Sequence, residues 1–272
     1  MHLLLSALGL VAIGAAVFVG ATGLFARWRA PEPPSRGLDT LAWGIREWAA
    51  SFGILPLLLF GMTPAPAPKA VEGASNADVP VLLVHGYDMN RATMWPLGWY
   101  LRARGWRWVH SVNHGPWGNP IAAHARHLAE RVAELKRASG ADRIDVVAHS
   151  MGGLITAFYA ARMDGAGDIR RLITIGTPWK GTWLAYFGNR AEARDLEPES
   201  AVVTELSRLG PRMVSVTSIW TPCDQIVVPA ANSVVEHADC IEIPVAGHLD
   251  LLLDGRVFVA VRDALRAPEA AA

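Results

Sequence analysis

The chain has 272 residues, with 25 Lys and Arg balanced by 25 Asp and Glu, and only two cysteines. That length can bury a full core without disulfides, while zero formal charge and the lack of a basic stripe exclude a nucleic-acid binder. Hydrophobic residues make up 51% and charged residues 18%, so an unusually apolar stretch must lie somewhere, and much of it lies at the N-terminus.

From Leu3 to Ala26 no residue is charged, a run longer than the roughly 20 residues a helix needs to cross a bilayer. Residues 3–26 therefore read as a transmembrane helix. A cleaved signal peptide would carry Lys or Arg where only His2 stands, which favours a retained anchor. Arg27 and Arg29 follow, and Pro31, Pro33 and Pro34, with Arg36 beyond, end any helix. A second apolar segment, 38–62, is interrupted by Asp39, Arg46 and Glu47. Three readings fit it: the second leg of a membrane hairpin, an interfacial helix with Trp43 and Trp48 at headgroup depth, or a helix packed on the domain that follows. Two spans place that domain outside the cytoplasm and one span places it inside. The expected organisation is a membrane-anchoring region over 1–62, a linker over 63–78 and a folded domain over 79–272. The linker is marked by Pro64, Pro66 and Pro68, then Gly73, Ser75 and Asn76.

Beyond the linker, short apolar runs alternate with helical patterns. Val81 to Val84, Trp108 to Val112, Ile144 to Val147, Leu172 to Ile175, Val214 to Ile219 and Ile241 to Val245 read as buried strands, and strands separated by helices predict a parallel sheet in an α/β fold. The clearest helix is Ile121 to Ser139, where Ile121, Ala125, Leu128, Val132 and Leu135 recur at helical spacing and Gly140 closes the end.

Ala148-His149-Ser150-Met151-Gly152-Gly153 sits between a buried strand and an apolar helix. A serine flanked by small residues at such a turn fits a nucleophile elbow, with Ala148 standing where the first glycine of G-x-S-x-G is usual. A serine hydroxyl needs a base held by a carboxylate, and in doubly wound hydrolases acid and then His follow the serine on loops after later strands. Asp224 follows the strand Val214 to Ile219 and His248 follows Ile241 to Val245, so these are the candidate acid and base. Asp195, Asp239, Asp250 and Asp254 are rivals that do not directly follow a buried strand. The oxyanion donors are expected to be the backbone N–H groups of Met151, next to the nucleophile, and Tyr87, after the strand Val81 to Val84.

Together, His85-Gly86-Tyr87, Ala148 to Gly153, Thr177-Pro178-Trp179-Lys180-Gly181-Thr182, Asp224 with Val227 and Pro229, and Gly247-His248 resemble bacterial triacylglycerol lipases and esterases of the α/β-hydrolase superfamily. The resemblance runs from about Val79 to Leu265. It implies a minimal, mostly parallel six-stranded sheet with helices on both faces, a Ser/Asp/His triad, and hydrolysis of carboxylic esters with no cofactor. Separately, the two cysteines are joined by no second pair or His cluster at zinc spacing, so no catalytic metal is expected. Trp179 departs from the His that the family often has after Thr-Pro, and the N-terminal apolar region lies outside the resemblance.

The insertion between Pro178 and Val214 is short, which predicts a small lid or none and an open site for short or medium acyl chains. Of 11 tryptophans, Trp117, Trp179 and Trp183 are candidates to line the substrate pocket, with core packing as the alternative for each. Cys223 and Cys240 bracket the Asp224 loop; a disulfide there would contribute on the order of 3 kcal/mol in the chain-entropy model and point to an oxidising compartment, and two buried thiols are the alternative. A structural calcium near Asp250 stays open. The expected function is a membrane-anchored serine ester hydrolase acting on an ester or lipid, in a bacterial inner membrane with its domain outside the cytoplasm. The same triad serves acyltransferases and thioesterases, and a catalytically silent membrane scaffold is the reading from another class.

Overall fold

Runs of Val, Ile and Leu too short for helices form the strands, and longer segments of helical period cover them. The strands are β1 (Val81–Val84), β2 (Val109–Val112), β3 (Ile144–His149), β4 (Ile169–Ile175), β5 (Ser215–Trp220) and β6 (Asp239–Glu242). The helices are α1 (His2–Arg29), α2 (Leu38–Phe60), α3 (Trp95–Arg102), α4 (Ile121–Ser139), α5 (Met151–Arg162), α6 (Ala191–Asp195), α7 (Ala201–Met213) and α8 (Gly255–Arg266). This computed structural model describes residues 2–29, 38–63, 65–68 and 79–268. Pro31, Pro33, Pro34 and Arg36 lie outside the described residues, as do 64 and 69–78 of the expected linker.

The six strands form one parallel sheet in the order β2-β1-β3-β4-β5-β6, as expected. Strands β1 and β3 are buried along their whole length, because a parallel sheet is covered on both faces. Alternate residues of β1 serve the two faces. Leu82 and Val84 pack with Leu128 of α4, Ile155 of α5 and Leu206 of α7. Val81 and Leu83 pack with Leu97 of α3 and with Val257 and Val261 of α8. Helix α4 has the expected bounds and ends at Gly140 with φ 72, the left-handed cap that glycine adopts without strain.

Strands β2, β3 and β5 lie within one or two residues of their expected bounds, and two strands, β4 and β6, depart further. Strand β4 begins earlier, at Ile169, and the Arg170 Nε it carries donates to Asp145 of β3 at 2.8 Å. Strand β6 was expected over Ile241 to Val245 and instead covers Asp239–Glu242. Ile243 N still donates to Trp220 O at 2.7 Å, but Pro244 has no N–H to continue the ladder and Val245 turns with φ 54. The chain thus leaves the sheet early enough to carry His248 back over the edge.

Among the described residues α1 holds the one stretch, Gly9–Arg29, long and apolar enough to cross a membrane. Leu10, Ile13, Val17, Leu24 and Trp28 on it are exposed. Helix α2 behaves differently. Arg46 bonds Asp250 at 2.8 Å and Asp254 at 2.7 Å, Asn90 Nδ2 donates to Leu58 O at 2.6 Å, and Asn113 Nδ2 donates to Gly61 O at 3.0 Å. Ile54 joins the apolar cluster of α3 and α8. These are the contacts of a helix packed on the domain, the third of the readings open for 38–62. Its tryptophans turn toward α1, with Trp48 Nε1 donating to Ala12 O at 2.9 Å and the Trp43 ring resting on Gly23.

Candidate active site

Strand β3 delivers Ser150 to the sheet edge and α5 begins at the next residue. Between them Ser150 has φ 52 and ψ −126, a conformation that is costly for a residue with a side chain and that persists only when its surroundings fix it. Two bonds do so: Ser150 N donates to Ile175 O at 2.8 Å, and Thr177 Oγ1 donates to Ser150 O at 2.8 Å. The close approach also explains the small residues. A Cβ on Gly153 would sit 2.2 Å from Thr177 Oγ1, and Ala148 is fully buried. Because Met151 opens α5, its N–H belongs to the first helical turn, whose donors have no partner within the helix. Tyr87 N lies on the loop after β1, and the Tyr87 residue lines the same cavity as Ser150.

The loops after β5 and β6 bring Asp224 and His248 together. His248 Nδ1 donates to Asp224 Oδ2 at 2.7 Å, and Asp224 Oδ1 accepts from Ile226 N at 2.9 Å and Val227 N at 2.8 Å. The carboxylate is therefore held on both oxygens, and the bond at Nδ1 leaves Nε2 as the basic nitrogen. Burial pulls the His248 pKa down, but the charge and hydrogen bond of Asp224, with the charge of Glu47, outweigh it and hold it above the ordinary 6.5. The neighbouring His149 is fully buried, and desolvation holds it well below its ordinary value, so it is neutral. Its Nε2 contacts the His248 carbonyl at 3.3 Å.

Ser150 and His248 line one cavity of about 590 Å³. The Ser150 hydroxyl and the His248 ring do not hydrogen-bond to each other in this arrangement; such bonds commonly tighten only when substrate is bound.

Sequence reasoning passed over Glu47. This α2 residue has no exposed surface. Its carboxylate accepts from Leu249 N at 2.9 and 3.1 Å, from Asp250 N at 2.9 Å and from Gln225 Nε2. Gln225 Oε1 in turn accepts from His248 N at 3.2 Å. Burial pushes the Glu47 carboxyl above its usual range, while this set of donors works against the shift and suits the ionised form. A Cβ on Gly247 would meet Glu47 Oε2 at 2.2 Å, so the glycine before His248 makes room for this carboxylate. The available signal was a charged pair, Arg46-Glu47, inside an apolar helix, since a buried charge needs partners elsewhere in the chain.

Several expected site residues lie elsewhere. Trp179 is a core residue with no exposed surface, its Nε1 donating to Thr174 Oγ1 at 3.3 Å. Trp117 is half exposed beside a separate, smaller cavity with Met62 and His85. Trp183 packs tilted against Tyr186, ring centroids 5.3 Å apart, with the Arg29 guanidinium over its ring at 4.4 Å. None of the three lines the Ser150 cavity, to which the insertion contributes Leu184 instead. Cys223 and Cys240 are not bridged: Cys223 is buried in the acid loop, and Cys240 lies on the exposed edge strand with Sγ 3.7 Å from the carbonyls of Val235 and Ala238. Asp250 is occupied by Arg46. Among the described residues no group of three or more His, Cys, Asp or Glu side chains is placed to hold a metal ion.

The fold is shared with solved structures of low sequence identity. Lipase B of Aspergillus fumigatus is 18% identical with a TM-score of 0.66, over 76% of this chain and 57% of that one; this chain thus spans little more than half the length of that lipase. A Bacillus licheniformis lipase in mature form is 15% identical with a TM-score of 0.61, over 74% of this chain and 96% of that one. A thermophilic esterase from Thermogutta terrifontis is 18% identical with a TM-score of 0.50, over 73% and 91%. At these identities the likeness is one of fold. The family model for the alpha/beta hydrolase fold matches residues 79–221, over half of the chain and inclusive of Tyr87 and the turn at Ser150, and the chain belongs to that family.

Proposed function

We propose that this chain is a membrane-anchored serine hydrolase of carboxylic esters, lipase- or esterase-like, working through Ser150, His248 and Asp224. The observation that carries the reading is the Asp224–His248 bond, 2.7 Å long and buried, opening on the cavity that also holds the strained Ser150. Ser150 Oγ attacks the ester carbonyl while His248 Nε2 takes the hydroxyl proton. The tetrahedral oxyanion is held by the N–H groups of Tyr87 and Met151. The C–O bond to the alcohol then breaks and His248 gives its proton to the departing alcohol. Water enters, His248 takes one of its protons, and the hydroxide attacks the acyl-serine; the bond from the carbonyl carbon to Ser150 Oγ then breaks, the acid leaves, and His248 returns the proton to Oγ. Asp224 keeps Nδ1 protonated throughout and offsets the charge of the imidazolium. The stretch Gly9–Arg29 is the membrane anchor, and 79–268 with the docked α2 forms the catalytic unit.

The test is hydrolysis of p-nitrophenyl butyrate by the full chain in detergent, beside Ser150→Ala. Activity lost in the variant supports the reading. A folded wild-type protein that leaves both nitrophenyl esters and glycerides intact contradicts it.

A further inference from the structure

The cavity above Ser150 is not built by the hydrolase domain alone. One wall is the face of α1 that carries Val11, Gly14, Ala15 and Phe18, residues at i, i+3, i+4 and i+7 and hence a single stripe. The adjoining wall is Ile54, Leu55 and Leu58 of α2. Ser150 and His248 form the floor, with Leu184 and Ile226 beside them. Ser51, Tyr87 and Asp88 also border the cavity, but most of its lining surface is apolar, and at about 590 Å³ the space falls within the roughly 300–1,000 Å³ of small-molecule sites. The short insertion thus does not leave the serine open, because helices from the other end of the chain cover it.

The position of α1 is fixed by contacts on both sides. Trp48 bonds its Ala12 carbonyl and Arg27 Nη2 donates to Thr40 Oγ1 at 2.8 Å, joining it to α2. Phe25 meets Phe187 edge-on at 5.4 Å and the Arg29 guanidinium lies over Trp183, joining it to the insertion. The rest of its surface, with Leu10, Ile13 and Val17, is exposed and apolar, and a helix apolar on every side is satisfied by lipid rather than water. The same helix therefore meets the bilayer on one side and the catalytic serine on the other.

We propose that α1 and α2 form the acyl-binding groove of the enzyme and that its substrate is the ester of a membrane lipid. The ester carbonyl sits at Ser150 and the acyl chain runs along the Val11, Gly14, Ala15, Phe18 stripe. This rests on Ser150 being the nucleophile and adds the substrate class and the element that selects it. The N-terminal apolar helix then does two jobs, anchoring the protein and selecting the chain. Removal of α1 as a signal sequence would strip away one wall of the site.

The direct test uses the full chain in phospholipid nanodiscs and a fluorophosphonate with a dodecyl chain bearing a terminal diazirine. The phosphonate reports on the nucleophile: labelling lost in Ser150→Ala upholds that reading, and wild-type protein that is never labelled overturns it. Irradiation reports on the groove. Cross-links to peptides containing Val11 to Phe18 or Ile54 to Leu58 support the inference; labelled protein cross-linked only to the insertion, or only to water, overturns it while leaving the hydrolase reading intact. Gly14→Trp gives a second measure. A Cβ at Gly14 meets nothing within 4 Å, so the substitution starts from open space and its indole competes with the acyl chain for the groove. Each buried methylene is worth about four-fold in transition-state binding, and the ratio of kcat/KM for dodecanoyl over butanoyl nitrophenyl esters is expected to fall at least about ten-fold. Gly20→Trp, on the same helix but away from the groove and equally open, is expected to leave that ratio unchanged. An equal fall in both variants, or in neither, contradicts the inference.

Discussion

Two buried carboxylates serve His248, and they come from opposite ends of the chain. Asp224 bonds the ring at Nδ1 from the loop after β5, whereas Glu47 reaches from α2 to the backbone of Leu249 and Asp250 and, through Gln225, to His248 N. The first addresses the imidazole and its charge. The second addresses the loop that aims the imidazole, with its charge felt at the ring as a further upward pull on the pKa. The sheet edge therefore brings Asp224 to His248, yet the His248 loop is completed by a helix from the other end of the chain, and Glu47, Asp224 and His248 all lie outside the residues 79–221 that the family model matches. Asp224 is the candidate catalytic residue and Glu47 a positioning residue, and substitutions at the two sites are expected to separate accordingly.

The largest separation is in turnover. Asp224→Asn keeps the shape but favours the wrong tautomer of His248, and kcat on a nitrophenyl ester is expected to fall about ten-thousand-fold, with thermal unfolding little changed. Glu47→Ala reverses that emphasis. It leaves buried N–H groups of Leu249 and Asp250 without an acceptor, at a cost of about 3 kcal/mol in stability read by denaturant unfolding.

Glu47→Gln keeps an acceptor and removes the charge, so the expected loss in kcat/KM is about ten-fold. Its diagnostic is the pH profile. The base must be neutral, so kcat/KM rises with pH through the His248 pKa, which lies above 6.5 in the intact protein. An anion at Glu47 favours the imidazolium; without it the acid limb is expected to move to lower pH. A purely structural role would lower the whole profile and leave the limb in place. The smallest effect belongs to Arg46→Ala. The Arg46 side chain is 41% exposed where it meets Asp250 and Asp254, and screening by solvent limits the expected loss to under about 1 kcal/mol in the same unfolding measurement.

The legibility of these two carboxylates in the sequence differs for a physical reason. Asp224 and His248 each follow an apolar run at a sheet edge, and local sequence records such runs directly. The same holds for β1, β3 and α4, which lie where Val, Ile and Leu spacing puts them, and for the elbow at Ser150. The edge strand β6 was harder, because its residues are mostly exposed and the ladder stops where Pro244 removes a donor. Glu47 is far from His248 in sequence and its partners are mostly backbone N–H groups, which carry no residue signature. Arg46 and Glu47 look like interruptions of a membrane segment until the fold brings Gln225, Asp250 and Asp254 against them. The tryptophans misled for the opposite reason. An aromatic near a motif suits a pocket or a core equally well, and Trp179 turned inward under α7, against Gly210.

The central claim is that Ser150 is a nucleophile activated by His248 and Asp224. The measurement that tests it most directly is mass spectrometry of the full chain, in detergent, after brief exposure to a fluorophosphonate. The expected result is a single adduct on the peptide containing Ser150, formed with the rising pH dependence of His248, greatly slowed in Asp224→Asn and absent in Ser150→Ala. Folded wild-type protein that gains no adduct, or gains one equally in Ser150→Ala, would contradict it.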